Sequence, residues 1–219
     1  MQPFSYDTLT ACIRRHLGDT GEPISFTPIP TGKFNTSYYV QTAGQDLILR
    51  IAPPQDAVFV FYEKDMMKQE PGIHRLLLEQ THVPVARILA FDESHAVLDH
   101  DFLIMERLPG HPLSEAMFVD ESTVLQQVGD ALAQTHRITA DQYGYLGAHA
   151  PMPPQATWNE AFWMMWRTLI EDVAGVDYYT SEECQQLLSL LEAHLPLFDR
   201  DVPSSLLHMG RLESEYFDR

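Results

Sequence analysis

An arginine stands in the middle of an apolar run, LILRIAP, at position 50. A cation within an apolar strand is costly unless it pairs with a carboxylate or binds an anion. The helical segment that follows offers two candidate partners, Glu63 and Glu70. A strand cation paired with a helix glutamate can hold the phosphates of a nucleotide. The alternative is an edge-strand arginine whose head reaches water while its stem covers apolar surface.

A turn rich in small residues precedes this run, in PTGKFNTSYYV, residues 30–40. Such a turn between two strands can place backbone N–H groups over phosphates. The segment lacks both GxGxxG and GxxxxGK[ST] spacing, so neither a Rossmann site nor a P-loop is predicted. Taken alone, it is better explained as a plain hairpin turn.

The elements that must position these residues follow from periodicity and turn signals. The first is a helix over residues 5–18, with Asp7 as a candidate cap and Gly18 as its stop. Runs of β-branched and aromatic residues bounded by Gly and Pro predict strands, the second and third joined by a tight hairpin. The five predicted strands cover residues 24–30, 36–42, 46–53, 86–92 and 101–107.

Helical character is predicted from Val58 to Gln80 with a break at Pro71–Gly72, and again after Leu108. Three later segments carry apolar residues at helical spacing, and Thr180 with Glu183 has capping-box spacing for the last of them. Strands that precede helices indicate an α+β chain with two lobes. The apolar faces of the later helices lie within residues 124–135, 158–173 and 184–195.

Composition limits the possible partners. The net charge of −17, from 31 acidic and 14 basic residues, argues against nucleic acid as a partner. An acidic surface attracts cationic small molecules, although it more often serves only solubility. The longest apolar runs are too short for a membrane span, and the N-terminus lacks the order of a secretion signal. Cys12 and Cys184 give no disulfide framework, so they are expected to be reduced thiols of a cytoplasmic protein.

The ordered set of motifs resembles the aminoglycoside phosphotransferase family of small-molecule kinases. The resemblance covers roughly residues 24–209 and implies a protein-kinase-like, two-lobe α+β fold. It implies a nucleotide-binding lobe with a five-stranded antiparallel sheet over residues 1–107 and a partial, mainly helical lobe over 108–209. The motifs are GKFNTSYYV, LILRIAP, YEKDMMKQEPGIHRLL, HVPVARILAFD, FLIMERLPGHPL, VGDALAQTHRI, YGYLG, TWNEAFWMMWRTLIEDV and VPSSLLHM.

The resemblance also implies ATP and Mg²⁺ as cofactors and a hydroxyl of a small molecule as the acceptor. It makes Arg50 the strand cation, where many members have Lys, with Glu70 as its first-choice partner and Glu63 in reserve. His136 matches a family histidine and is expected to be a core residue. The remaining nucleotide contacts implied are the covering loop of Gly32, Lys33, Phe34, Asn35 and Thr36, and the hinge backbone of Met105, Glu106, Arg107 and Leu108.

The family's catalytic loop, H-x-D-x-x-x-x-N, is interrupted in this sequence. Its aspartate orients the substrate hydroxyl, its asparagine holds magnesium, and a second aspartate farther on holds the metals. Here His208 is followed by Met209 and then Gly210 at the aspartate position, and Glu215 stands at the asparagine position. The sequence therefore predicts that no catalytic residue and no magnesium site is intact.

The tail GRLESEYFDR, residues 210–219, suggests how the loop was lost. Codons permitted for these ten residues, read one nucleotide later, spell DVWSQNILI, which restores Asp and Asn at the family's separation. The junctions constrain this reading, since Glu-Tyr can shift only to Asn or Ser. We therefore hypothesise a one-nucleotide insertion after the Met209 codon, with residues 210–219 out of frame.

This interpretation has consequences for activity and solubility. The chain as given is expected to be inactive or nearly so, with a pseudokinase-like nucleotide-binding module or a disrupted gene product as the alternatives. A truncated helical lobe leaves the apolar faces of 157–173 and 181–195 without partners. Non-specific association through these faces and a poorly soluble or partly molten product are expected.

Overall fold

The computed structural model describes residues 4–18, 23–30, 34–110, 113, 119–146 and 151–208. Predicted residues Gly32, Lys33 and Gly210, and the rest of the tail, lie outside this part of the chain. The helices are α1 (Tyr6–Leu17), α2 (Glu70–Gln80), α3 (Glu121–Thr135), α4 (Trp158–Ala174) and α5 (Ser181–His194). The strands are β1 (Ser25–Ile29), β2 (Thr36–Gln41), β3 (Asp46–Ile51), β4 (Ile88–Asp92), β5 (Phe102–Glu106), β6 (Thr139–Ala140) and β7 (Ser204–Ser205).

The chain forms two compact units. The first, called the sheet unit, runs up to Val58 and takes in Asp65–Leu76 and Pro84–Pro109. The second, the helical unit, comprises Phe59–Lys64, Leu77–Val83 and the chain from Gly110 onward. The predicted boundary between the lobes near residue 107 stays a prediction. The division into compact units differs from it in that Phe59–Lys64, which precedes residue 107, belongs to the helical unit.

The sheet unit is built on five antiparallel strands in the order β1-β2-β3-β5-β4. The α+β class and the five-stranded antiparallel sheet are confirmed. The β2–β3 connection is the predicted tight hairpin, which the Thr42 N–H closes by donating to the Gln45 carbonyl at 3.0 Å. Strands β3 and β5 lie in the interior of the sheet, so Arg50 is not on an edge strand.

One face of the sheet is closed by α1. Ser5 caps this helix by accepting from the Thr8 N–H at 3.1 Å, so the prediction of Asp7 as the cap is wrong by two residues. Asp7 lies instead in the first turn, where a carboxylate favours the helix dipole. Gly18 ends the helix at φ 80°, as predicted. The buried core includes Leu9, Cys12, Ile13, Tyr38, Val40, Leu47, Leu49, Ile51, Phe102 and Ile104.

Asp92, at the end of β4, anchors α1 to the sheet. Its side chain is 4% exposed and lies 2.6 Å from Arg15 Nε and 2.8 Å from His16 Nε2. The Ser94 N–H also donates to it at 2.8 Å. Burial acts to raise the pKa of Asp92, but the bonds from Ser94, His16 and Arg15 outweigh it and hold that pKa well below its usual range.

The segment before α2 differs from the sequence prediction. Residues 58–60 have no regular structure, residues 61–65 form turns, and a 3₁₀ turn follows at Met66–Gln69. The helix α2 then runs without interruption from Glu70 to Gln80. Both the helix from Val58 and the break at Pro71–Gly72 are therefore wrong. Pro71 is accommodated because a proline in the first helical turn removes an N–H that has no intrahelical partner.

Capping boxes begin the two long helices of the helical unit. Thr157 with Glu160 caps α4, and Thr180 with Glu183 caps α5 as predicted. The short segment around Phe61 joins this unit because its N–H donates to Asp172 Oδ2 at 2.5 Å and its ring packs in a small cluster of buried residues. That cluster comprises Phe61, Met152 and Ala161.

The described helical unit leaves much apolar surface in contact with water. The helix α3 buries only Thr135, and α4 buries only Ala161 and Ile170. His136, which was expected in the core, is exposed, although the preceding residue, Thr135, is buried. Large apolar side chains exposed in this unit include Trp166, Val176, Tyr178, Leu190, Leu197 and Leu207. Cys12 and Cys184 are both buried and free.

We expect Asp92→Asn to lower the free energy of unfolding by about 2–3 kcal/mol at pH 7, because Arg15 and Ser94 lose a charged acceptor. A carboxyl group with a lowered folded-state pKa stabilises above its unfolded pKa of about 4. The difference should therefore persist from pH 8 to 5 and shrink below about pH 4. Urea unfolding measures it, with the exposed Asp56→Asn as control; equal effects of the two substitutions would contradict the anchor.

We also expect concentration-dependent association of the chain through the helical unit. Leu190 is 58% and Leu197 68% exposed, and clustered exposed apolar surface promotes association. Replacing both with Gln should shift the sedimentation profile toward monomer and reduce the fluorescence of an apolar dye. Leu89→Gln, an exposed leucine of β4 in the sheet unit, is the matched control. A wild-type chain that sediments as a monomer and melts sharply would count against this expectation.

Candidate nucleotide site

The face of the sheet opposite α1 carries the candidate site. Paired residues of antiparallel strands project to the same face, so the register defines two rows of side chains there. One row is Tyr39, Ile48 and Met105, and the other is Ser37, Arg50 and Leu103. Tyr39, Ile48 and Met105 are half-buried, in contrast to the closed face that packs on α1.

Arg50 forms an ion pair with the first turn of α2. Its Nη1 lies 2.8 Å from Glu70 Oε2, and the two side chains are 27% and 19% exposed. Glu63 is engaged elsewhere, since its Oε2 accepts from the Val60 N–H at 3.2 Å. Of the two candidate partners, the structure therefore pairs Arg50 with Glu70.

Burial and the neighbouring side chains have opposite effects on the charge of Glu70. Burial raises the pKa of this carboxyl above its ordinary value, and this effect exceeds the opposing effects of Arg50 and of His74. Without a cation beside it, Glu70 would therefore be protonated more readily at this position. The pair holds the guanidinium in place while leaving part of it exposed, which is what an anion-binding cation needs.

The described part of the covering loop lies at the same end of the sheet as Arg50. Thr36 begins β2, and the next residue, Ser37, is paired directly with Arg50. Phe34 is about half exposed, and Asn35 is half-buried. The backbone thus brings residues 34–36 near the strand cation, as an anion-covering loop requires.

The predicted hinge, residues 105–108, begins within β5, which ends at Glu106. The Glu106 N–H donates to the Arg87 carbonyl at 3.0 Å, and the Arg107 N–H donates to the Asp46 carbonyl at 3.2 Å. The Arg107 guanidinium lies 4.4 Å from the centre of the Tyr39 ring, a cation–π contact between the hinge and β2. Leu108 is 45% exposed, and its N–H donates no hydrogen bond within the part of the chain that the structure describes.

Two contacts in this region were not predicted from the sequence. The stacking of Arg107 on Tyr39 depends on strand register, which periodicity alone does not give. His74 acts to lower the pKa of Glu70 from one helical turn away. The i, i+4 spacing of these two residues in the sequence could have predicted this contact. Among the predicted loop remnants, His208 is exposed.

Side chains that could ligate a metal ion are not clustered in the described part of the chain. Within the described ranges, no group of three or more His, Cys, Asp or Glu side chains lies close enough to hold a metal ion. No helix among the described residues is both long and apolar enough to cross a membrane.

A five-stranded sheet with a strand cation paired to the following helix, continued by a helical unit, defines a protein-kinase-like fold. The sequence profile of the phosphotransferase enzyme family matches residues 25–209, so the chain belongs to that family. The predicted membership is confirmed, and the match ends at Met209, the last residue before the tail that we interpret as out of frame. A search of curated protein sequences found no match.

Solved structures support the same fold. A protein assigned as an aminoglycoside phosphotransferase from Ralstonia eutropha is 18% identical, with a TM-score of 0.52 over 88% of this chain and 54% of that one. A protein assigned as a fructosamine-3-kinase from Haemophilus somnus is 19% identical, with a TM-score of 0.54 over 87% and 63%. A thermostable mutant of aminoglycoside phosphotransferase APH(4)-Ia, in a complex with AMP-PNP and hygromycin B, is 15% identical, with a TM-score of 0.56 over 90% and 61%. This chain spans between 54% and 63% of these three relatives.

Proposed function

We propose that the sheet unit binds ATP and that the lineage of this chain transfers a phosphoryl group to a hydroxyl of a small molecule. The observation that carries the proposal is the Arg50–Glu70 pair on the open face of the sheet, in the same unit as the hinge. The AMP-PNP complex of APH(4)-Ia supports the choice of nucleotide.

The residues of this chain divide the binding of ATP between them. Leu108 offers its N–H to the edge of the adenine ring, and the half-buried Tyr39, Ile48 and Met105 cover the ring with apolar surface. Arg50 donates to phosphate oxygens, while Glu70 fixes the orientation of its guanidinium. Bound ATP would supply the phosphoryl group that is transferred.

Transfer also needs a group that accepts or orients the proton of the attacking hydroxyl. In the sequence as given, His208 is followed two positions later by Gly210, which can do neither. We propose that this chain binds nucleotide without appreciable turnover and that residues 210–219 are the family's catalytic loop read out of frame. A selected pseudokinase-like module is the second candidate, favoured by the closed core of the sheet unit.

The acceptor is proposed by class only. The net charge of −17 would attract a cationic molecule through its long-range field. Aminoglycosides, amino sugars and amino alcohols carry both a cation and hydroxyl groups. Hygromycin B bound to APH(4)-Ia gives one example of such an acceptor in a relative.

Replacing Arg50 should weaken nucleotide binding. Hydrogen bonds to a charged group contribute about 1.5–3 kcal/mol, so Arg50→Ala is expected to raise the Kd for a fluorescent ADP analogue about 10- to 100-fold. Arg75→Ala removes an exposed arginine of α2, the helix that carries Glu70, and should leave the Kd within about twofold. Fluorescence anisotropy gives both values. A wild-type chain that does not bind the analogue, or equal effects of the two substitutions, would refute the nucleotide site.

Restoring the reading frame should restore turnover. The coding DNA beyond position 219, read one nucleotide later from the Met209 codon, is expected to encode the remainder of a kinase helical lobe. The extended protein should hydrolyse or transfer ATP phosphate with at least one cationic acceptor, whereas the present chain should not. Changing the restored aspartate at position 210 to asparagine should lower kcat about 10²- to 10⁴-fold. The absence of an open frame downstream would sink the hypothesis.

A further inference from the structure

The helix α2 carries Glu70 but has little apolar packing to hold it. None of its eleven residues is buried, although several are half-buried. Apolar burial normally fixes the position of a helix on a sheet. Among the described residues, two side-chain bonds connect the Glu70–Leu76 part of this helix to the rest of the sheet unit. They are the Arg50–Glu70 pair and a bond made by His74.

His74 contacts the backbone of the segment that leads into β4. Its Nδ1 lies 2.7 Å from the carbonyl oxygen of Ala86. A carbonyl oxygen can only accept, so Nδ1 must carry the proton and donate it. This fixes the tautomer of the ring and makes His74 a directional connection from α2 to Ala86.

The segment that accepts this bond is itself attached to the hinge. Arg87, the next residue, accepts from the Glu106 N–H at 3.0 Å, and its own N–H donates to Glu106 Oε2 at 3.3 Å. A continuous series of bonded groups therefore connects the hinge to Arg87, the adjoining Ala86, His74 and α2. Glu70 lies one turn before His74 on the same helix face.

We propose that His74 is the positioning residue of the nucleotide site, holding α2 against Ala86 so that Glu70 stays within bonding distance of Arg50. This inference rests on the proposed nucleotide-binding function. Without the bond to Ala86, α2 would retain only the Arg50–Glu70 contact as a polar attachment among the described residues. Glu70 could then move away from Arg50, and the guanidinium would lose its fixed orientation toward phosphate.

Three substitutions separate positioning from general stability. Asparagine places its amide N–H near the position of His74 Nδ1, whereas glutamine places its amide near Nε2 and alanine has no donor. His74→Ala and His74→Gln are expected to raise the Kd for the fluorescent ADP analogue about 3- to 10-fold, which is the range of one neutral hydrogen bond. His74→Asn should remain within about twofold of the wild type.

His100 supplies the matched control. Its Nδ1 makes the same kind of bond, 2.9 Å from the Ala52 carbonyl, but its ring packs edge-on against Phe4 beside the α1 core. His100→Ala should lower the midpoint of urea unfolding without raising the Kd more than about twofold. A rise as large as that of His74→Ala would show that any lost histidine bond weakens the site, and would overturn the assignment.

A second measurement does not depend on nucleotide. Arg50 and His74 make no direct contact among the described residues, but both act on the charge of Glu70. Coupling through charge alone would be equal for His74→Ala and His74→Asn, whereas coupling through position should appear for His74→Ala only. In urea unfolding, His74→Ala is expected to destabilise the wild type more than it destabilises Arg50→Ala. If the two substitutions have additive effects on unfolding, the inference is overturned even if nucleotide binds. If their effects are coupled but the chain does not bind nucleotide, only the proposed function is refuted. Equal Kd values for all three His74 variants would also overturn it.

Discussion

The ion pair between Arg50 and Glu70 is the constraint on which the candidate site depends. Arg50 lies on an interior strand, where its charge would be costly to desolvate without a partner. Glu70 is buried enough that its pKa is raised, so each charge makes the other tolerable. A hydrophobic pair could stabilise the sheet as well or better, so the presence of two charges here is consistent with the proposed nucleotide site.

The same pair also decides which parts of the sheet unit must be rigid. Asp92 fixes α1 on the closed face through Arg15 and His16, and that face has a full apolar core. On the open face, α2 has no buried side chain and depends on directional polar contacts. The two faces thus use opposite means: the first excludes water from an apolar core, and the second positions charged side chains through directional bonds.

Much of this arrangement could be predicted from particular residues. A cation within LILRIAP, the hairpin between β2 and β3, and the Thr180–Glu183 capping box each follow from local chemistry. Other features depended on competing local choices. Ser5 and Asp7 are both good caps, and only the backbone shows that Ser5 is used. Residues 58–69 mix aliphatic, aromatic and charged side chains without a clear period. The contact between Phe61 and α4 is a tertiary interaction that a sequence window cannot reveal.

Nucleotide binding and phosphoryl transfer have different structural requirements, and the proposed function assigns them to different parts of the chain. Every described residue proposed to contact ATP lies in the sheet unit, whose core is closed by residues up to Ile104. The groups that transfer requires would follow His208, beyond the matched family segment. A frame change there would therefore abolish the chemistry while leaving the fold of the sheet unit intact, since none of its core residues comes from the tail. Retained nucleotide binding would therefore support the nucleotide site, but it would not by itself distinguish a selected pseudokinase-like module from a disrupted gene product.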